Sequence, residues 1–126
     1  MVKNDIKVFV ILALAVELPI YKATYDLVLI IFRLVKNFNK EYKYTIGENL
    51  KKETIEAITN IYRANISEEK KIHLAKAREN IEVIRLYLRI LKDLKQITVK
   101  QIAYANSYIE NVSKQLTGWH KSQINI

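Results

Sequence analysis

The sequence predicts an all-α fold, an up-down-up-down antiparallel four-helix bundle with a hydrophobic N-terminal arm, and three observations carry that prediction. Apolar residues recur every three or four positions in four separate segments. The connections between those segments are short and polar, which makes consecutive helices antiparallel neighbours. The chain holds 2 glycines and 1 proline in 126 residues, too little material for the tight turns of an antiparallel sheet. Half of the residues are apolar, enough for one core, and the length suits a single bundle domain over residues 18–126 behind an arm over residues 1–17.

In the arm, Lys3 and Lys7 precede an apolar run from Val8 to Val16 that contains Ala13-Leu14-Ala15. This is the outline of a signal peptide. The run falls short of the roughly 20 apolar residues that cross a bilayer. It reads instead as a retained arm, helical or extended, that packs on the domain or on a neighbouring subunit.

The first helix is predicted over about 18–38. Pro19 sits in its first turn, where the missing N–H would be unbonded in any case. One apolar row comprises Leu18, Tyr21, Tyr25, Val28, Phe32 and Val35; a second comprises Leu27, Ile31, Leu34 and Phe38. Two rows imply burial on two sides. A short polar segment, 39–44, follows. Thr45-Ile46-Gly47-Glu48 then has the spacing of a capping box and starts a second helix that buries Ile46, Leu50, Ala57, Ile58 and Ile61 and ends near Asn65.

Ser67 with Glu68 and Glu69 opens the third helix, acids in the first turn meeting the positive end of the helix dipole. Its seam, Leu74, Ala77, Ile81, Ile84, Leu88 and Leu91, alternates spacings of three and four without a break. Val83, Tyr87, Ile90 and Leu94 add a second apolar row, so this helix offers more than the roughly 100° stripe that one packing face requires. The surplus face fits a homo-oligomer interface. The fourth helix has a capping box in Thr98-Val99-Lys100-Gln101 and a seam of Ile102, Ala105, Ile109, Val112, Leu116 and Trp119. Gly118 is expected to end it, with Trp119 folding back onto the bundle.

The net charge is +8, from 21 Lys and Arg against 13 Asp and Glu, and points to a polyanion, either nucleic acid or an anionic membrane surface. The third helix concentrates that charge. Lys71, Arg78, Arg85 and Lys92 stand seven residues apart, with Arg89 between them on the same side. Such spacing lines up side chains beside the seam. The row reads either as a phosphate-contacting surface or as a solvated helix face whose members form weak ion pairs, Glu82 being within reach of Arg78, Arg85 or Arg89.

Little else on the chain suggests chemistry. It has no cysteine, hence no disulfide, thiol nucleophile or thiolate metal site, a composition that fits a reduced, cytoplasmic compartment. A di-iron bundle needs Glu-x-x-His on two helices, whereas His73 follows Lys70 and His120 follows Thr117. Gly47 and Gly118 are too far apart to form a phosphate loop. Both histidines read as structural or solvated, and the paired tyrosines Tyr21/Tyr25 and Tyr104/Tyr108 as core or interface residues. No catalytic residue, metal or cofactor is expected.

Several pieces together carry a resemblance: Leu18-Pro19-Ile20-Tyr21-Lys22 with Tyr25-Asp26-Leu27, Thr45-Ile46-Gly47, the run from Ile84 to Leu94, and Leu116-Thr117-Gly118-Trp119. In order and spacing, over about residues 18–122, the chain resembles the Avd family, the four-helix-bundle accessory variability determinants of diversity-generating retroelements, related to the ribosomal-RNA intervening-sequence bundle proteins. The resemblance implies a homopentamer shaped like a tapered barrel, not an enzyme, that binds a reverse transcriptase and contacts nucleic acid through a basic surface. It places the family's arginine pair at Arg85 and Arg89, inside the row found from spacing.

The expected function is therefore a non-enzymatic adaptor that holds template RNA, or an RNA–cDNA hybrid, close to a reverse transcriptase during mutagenic cDNA synthesis. Arg78, Arg85, Arg89, Lys92 and Lys71 would contact phosphates without reading sequence, and Lys51 and Lys52 could extend the patch. Arg85 and Arg89 could instead be partly buried, pairing with Asp26 or Glu82 to fix the bundle or a subunit interface. An intervening-sequence-type bundle with a structural or RNA-associated role and no reverse-transcriptase partner is the alternative. A peripheral membrane protein using the Val8 to Val16 arm is a third reading, although no membrane partner is expected.

Overall fold

The computed structural model describes residues 18–124, so the predicted arm at 1–17 lies outside the described residues. The described chain forms four long helices, α1 (Pro19–Lys36), α3 (Ile46–Ile66), α4 (Lys70–Asp93) and α5 (Val99–Ile124), and a single-turn helix α2 (Lys40–Lys43), with no strand among the described residues. Each long helix packs on two others, in the cyclic order α1, α3, α4, α5 and back to α1. Contacts run in opposite directions along the paired helices. Tyr21 meets Tyr62 and Phe32 meets Lys51 between α1 and α3; Arg78 meets His120 and Arg85 meets Glu110 between α4 and α5. This is the predicted antiparallel four-helix bundle.

The α4 seam forms the middle of the core. Leu74, Ala77, Ile81, Ile84, Leu88 and Leu91 are all buried, in one cluster with Leu27 and Ile31 of α1, Leu50 and Ile61 of α3, and Ile109 and Leu116 of α5. Each such Leu or Ile contributes about 1.5–3 kcal/mol by leaving water. On α1 the buried row is Leu27 and Ile31, with Leu34 half-buried and Phe38 continuing it just past the helix end, joined by Ile20, Ala23 and Ile30. Of the other row only Val35 is buried, and Tyr25 and Phe32 remain exposed. The helix occupies a corner of the bundle, so one row faces the core and the other looks outward past α3. Across α3 and α4 the core contains a polar chain: Asn80 Nδ2 donates to Glu53 Oε2 at 2.9 Å, and Asn60 Nδ2 donates to Asn80 Oδ1 at 2.8 Å.

The helix ends follow the predicted signals unevenly. At Thr98 the capping box forms in full: Gln101 N–H donates to Thr98 Oγ1 at 3.1 Å, and Thr98 N–H donates to Gln101 Oε1 at 2.9 Å. At Thr45 it does not. The preceding residues coil into α2, and the Thr45 hydroxyl donates to the Glu41 carbonyl at 2.6 Å, which removes it from the α3 N-terminus. The expected break at Gly118 is also absent. That glycine has no positive φ, and α5 continues to Ile124 with Trp119 packed on the core from within the helix.

The left-handed residue falls instead on Lys95, with φ 60°. Gln96 N–H reaches Leu91 O and Lys95 N–H reaches Lys92 O, both at 2.9 Å, a Schellman ending built without glycine. At the other end of α4, the Lys70 ammonium donates to the carbonyls of Ala64, Asn65 and Ser67 at 2.9–3.0 Å, closing the end of α3 where the helix dipole is negative. Gly47 is required by space: a Cβ there would lie 2.9 Å from both Tyr42 O and Val35 Cγ1.

Candidate nucleic-acid interface

Helix α4 carries the basic row along the flank that faces α5. Seven residues are nearly two full turns, so Lys71, Arg78, Arg85 and Lys92 form one line roughly 30 Å long at a rise of about 1.5 Å per residue. Lys71, Arg78, Arg89 and Lys92 are exposed. None of these four has a carboxylate within ion-pair distance among the described residues. Cations left without acids in this way keep their field available to an external anion.

Arg85 differs. Its guanidinium donates to Glu82 Oε1 at 2.9 Å and to Glu110 Oε1 at 2.7 Å, with 31% of the side chain exposed. Glu82 is thus taken by Arg85 alone of its three possible partners. Asp26, the other acid considered, pairs with Lys22 at 2.8 Å. The two sequence readings of the row divide between neighbouring residues: Arg85 ties α4 to α5, and Arg89, one turn on, stands in solvent.

Lys51 and Lys52 do not extend this surface. They line a groove with Phe32, Glu48, Asn49 and Ile55 on the α1–α3 side of the bundle, opposite α4 and α5. Lys51 is held by Glu48 at 2.7 Å and sits 5.3 Å from the centre of the Phe32 ring. The row on α4 adjoins a different groove, of about 280 Å³, lined by Ala75, Arg78, Glu79, Ile81, Glu82, Ser113, Leu116 and Thr117. On the outer side of the same helix, Leu86, Ile90 and Leu94 are exposed apolar side chains, with Val83 and Tyr87 half-buried beside them.

One participant escaped the sequence reading. His120, near the end of α5, lies against the row, with Arg78 Nη1 2.9 Å from its Nδ1. A guanidinium only donates, so Nδ1 accepts and the ring proton of the neutral imidazole is on Nε2. Burial, then the charges of Arg78 and Lys71, hold this histidine below its ordinary value of 6.5. Only the register between α4 and α5 could have found it, because the contact spans 42 positions.

Among the described residues no group of three or more His, Asp or Glu is placed to hold a metal ion, and no helix is long and apolar enough to cross a membrane. Fold and surface define the class: an antiparallel four-helix bundle with a line of unneutralised cations on one helix. The family model described as bAvd-like matches residues 18–123, and the chain belongs to that family of bundle accessory proteins. No curated protein matches the chain.

Proposed function

We propose that this protein is a non-catalytic, homopentameric adaptor that binds template RNA, or an RNA–cDNA hybrid, and a reverse transcriptase, and so supports mutagenic cDNA synthesis in a diversity-generating retroelement. The observation that carries the reading is the exposure of Lys71, Arg78, Arg89 and Lys92 on one flank of α4 without carboxylate partners among the described residues, in a chain matched to the bAvd-like family over residues 18–123. These four contact phosphates, which position nucleic acid without reading its sequence. Arg85 holds α4 and α5 at the spacing that presents them. The exposed Leu86, Ile90 and Leu94 support self-association, because a ring of subunits removes such a stripe from water.

Charge reversal at Arg89→Glu together with Lys92→Glu tests the reading. Weakened binding to a structured RNA with subunit number unchanged is expected. Loss of assembly with RNA affinity per subunit unchanged would assign both residues to the interface and overturn it.

A further inference from the structure

At the end of the bundle where α4 begins and α5 finishes, Arg78 and His120 are in contact and Lys71 stands two turns earlier on the same line of α4. The Arg78 guanidinium donates to His120 Nδ1 at 2.9 Å, and the Lys71 ammonium is close enough for its charge to act on the same ring. Neither cation has a carboxylate within ion-pair distance among the described residues. Two unneutralised charges beside an imidazole create a local excess of positive potential. A phosphate diester relieves that excess, and in doing so it removes the penalty on a third positive charge.

We propose that Lys71, Arg78 and His120 form a phosphate-binding subsite that takes up one proton when the phosphate enters. Without the anion, His120 is neutral and accepts from Arg78. With it, a proton from solvent binds Nδ1, Arg78 turns its N–H to a phosphate oxygen, and the imidazolium donates to the same group. Arg78 and Lys71 keep all their protons, so the uptake belongs to His120 alone. The depressed pKa of this histidine agrees with the arrangement, since it leaves the ring largely unprotonated near neutral pH until an anion arrives.

Of the other charged groups at this end, some are engaged elsewhere, and the α4 acids beside Arg78 make no ion pair with it among the described residues. On α4, Glu79 and Glu82 line the neighbouring groove, and Glu82 is held by Arg85. Lys70 is spent on three carbonyls, and the Glu68-Glu69 turn leads into the helix. On α5, Lys121 adjoins His120 in sequence. From α1 the residues at this end are Leu18, Pro19 and Ile20, with Lys22 and Asp26 closed on each other further along.

The inference rests on the polyanion-binding reading above, and two probes separate them. The first is calorimetric titration of the full-length chain with single-stranded oligouridylate near pH 7, in buffers of different ionisation enthalpy. The second is the NMR titration of His120 with and without inorganic tripolyphosphate. Proton uptake on RNA binding is expected, with affinity rising about threefold to tenfold from pH 8 to pH 6, as a pKa increase approaching one unit requires. His120→Gln, which can still accept from Arg78 but cannot titrate, should lose both the uptake and the pH dependence. RNA binding with no uptake and a pH profile shared by His120→Gln overturns the subsite and leaves the adaptor intact. A raised His120 pKa with tripolyphosphate but no affinity for RNA supports the subsite and overturns the adaptor; indifference to both probes overturns both.

Discussion

Arg85→Gln and Arg89→Gln should produce opposite phenotypes, although the two arginines lie one turn apart on the same helix. Arg85 has 31% of its side chain exposed and bridges Glu82 and Glu110, whose side chains are 63% and 72% exposed. Each partly solvated pair is worth about 0.2–1 kcal/mol after screening, so losing both costs roughly 0.5–1.5 kcal/mol. For a bundle of this size that corresponds to a fall in Tm of roughly 2–6 °C at fixed protein concentration. Arg89 has no such partner among the described residues, and its replacement should stay within about 0.5 kcal/mol of wild type.

In RNA binding the order reverses. Removing one phosphate contact at Arg89 flattens the slope of log affinity against log salt by about 0.7 for single-stranded RNA, whereas Arg85→Gln leaves the slope unchanged. Thermal denaturation and a salt series of binding isotherms on the two variants measure both quantities. Equal loss of RNA affinity in the two, or a larger loss of stability in Arg89→Gln, would refute the division of roles along the row.

Further predictions concern the scaffold. Gly47→Ala should cost roughly 1–3 kcal/mol in chemical denaturation, because its Cβ would press on the fixed Tyr42 carbonyl and on Val35. Lys95→Gly should stabilise the protein by roughly 0.5 kcal/mol or more, relieving the left-handed φ of 60° at the end of α4 against a smaller loss in unfolded-state entropy. Burial, reinforced by the Tyr62 hydroxyl, pushes the Tyr21 pKa up to about 12. In the unfolded chain Tyr21 ionises near 10, so its contribution to stability is complete below that pH and is lost as pH rises toward 12. Ultraviolet titration should show a late tyrosine that is missing in Tyr21→Phe.

The bundle was legible because its determinants are local. The six-residue α4 seam is wholly buried, and the Thr98-Gln101 box forms as its spacing requires. Where prediction failed, a neighbour competed for the same group. Thr45 has the right partner at the right distance, yet the turn of α2 brings the Glu41 carbonyl to its hydroxyl first. Gly118 permits a helix end without imposing one, and packing of Leu116 and Trp119 on the core carries α5 past it.

The candidate site was half legible for the same reason. Periodicity along α4 is enough to align Lys71, Arg78, Arg85 and Lys92. What distinguishes Arg85 from Arg89 is Glu110, 25 positions away on another helix, and what adds His120 is a contact across 42 positions. Both depend on the α4–α5 register, which no local pattern encodes. The misplacement of Lys51 and Lys52 has the same origin, since sequence did not say which side of the bundle α3 would turn toward Phe32.

The most direct test of the adaptor is size-exclusion chromatography with light scattering, on the protein alone and with a structured RNA over a series of salt concentrations. A pentamer that binds RNA with an affinity falling steeply as salt rises is expected, as release of counterions from several phosphates demands. A monomer or dimer indifferent to RNA at low salt would contradict it.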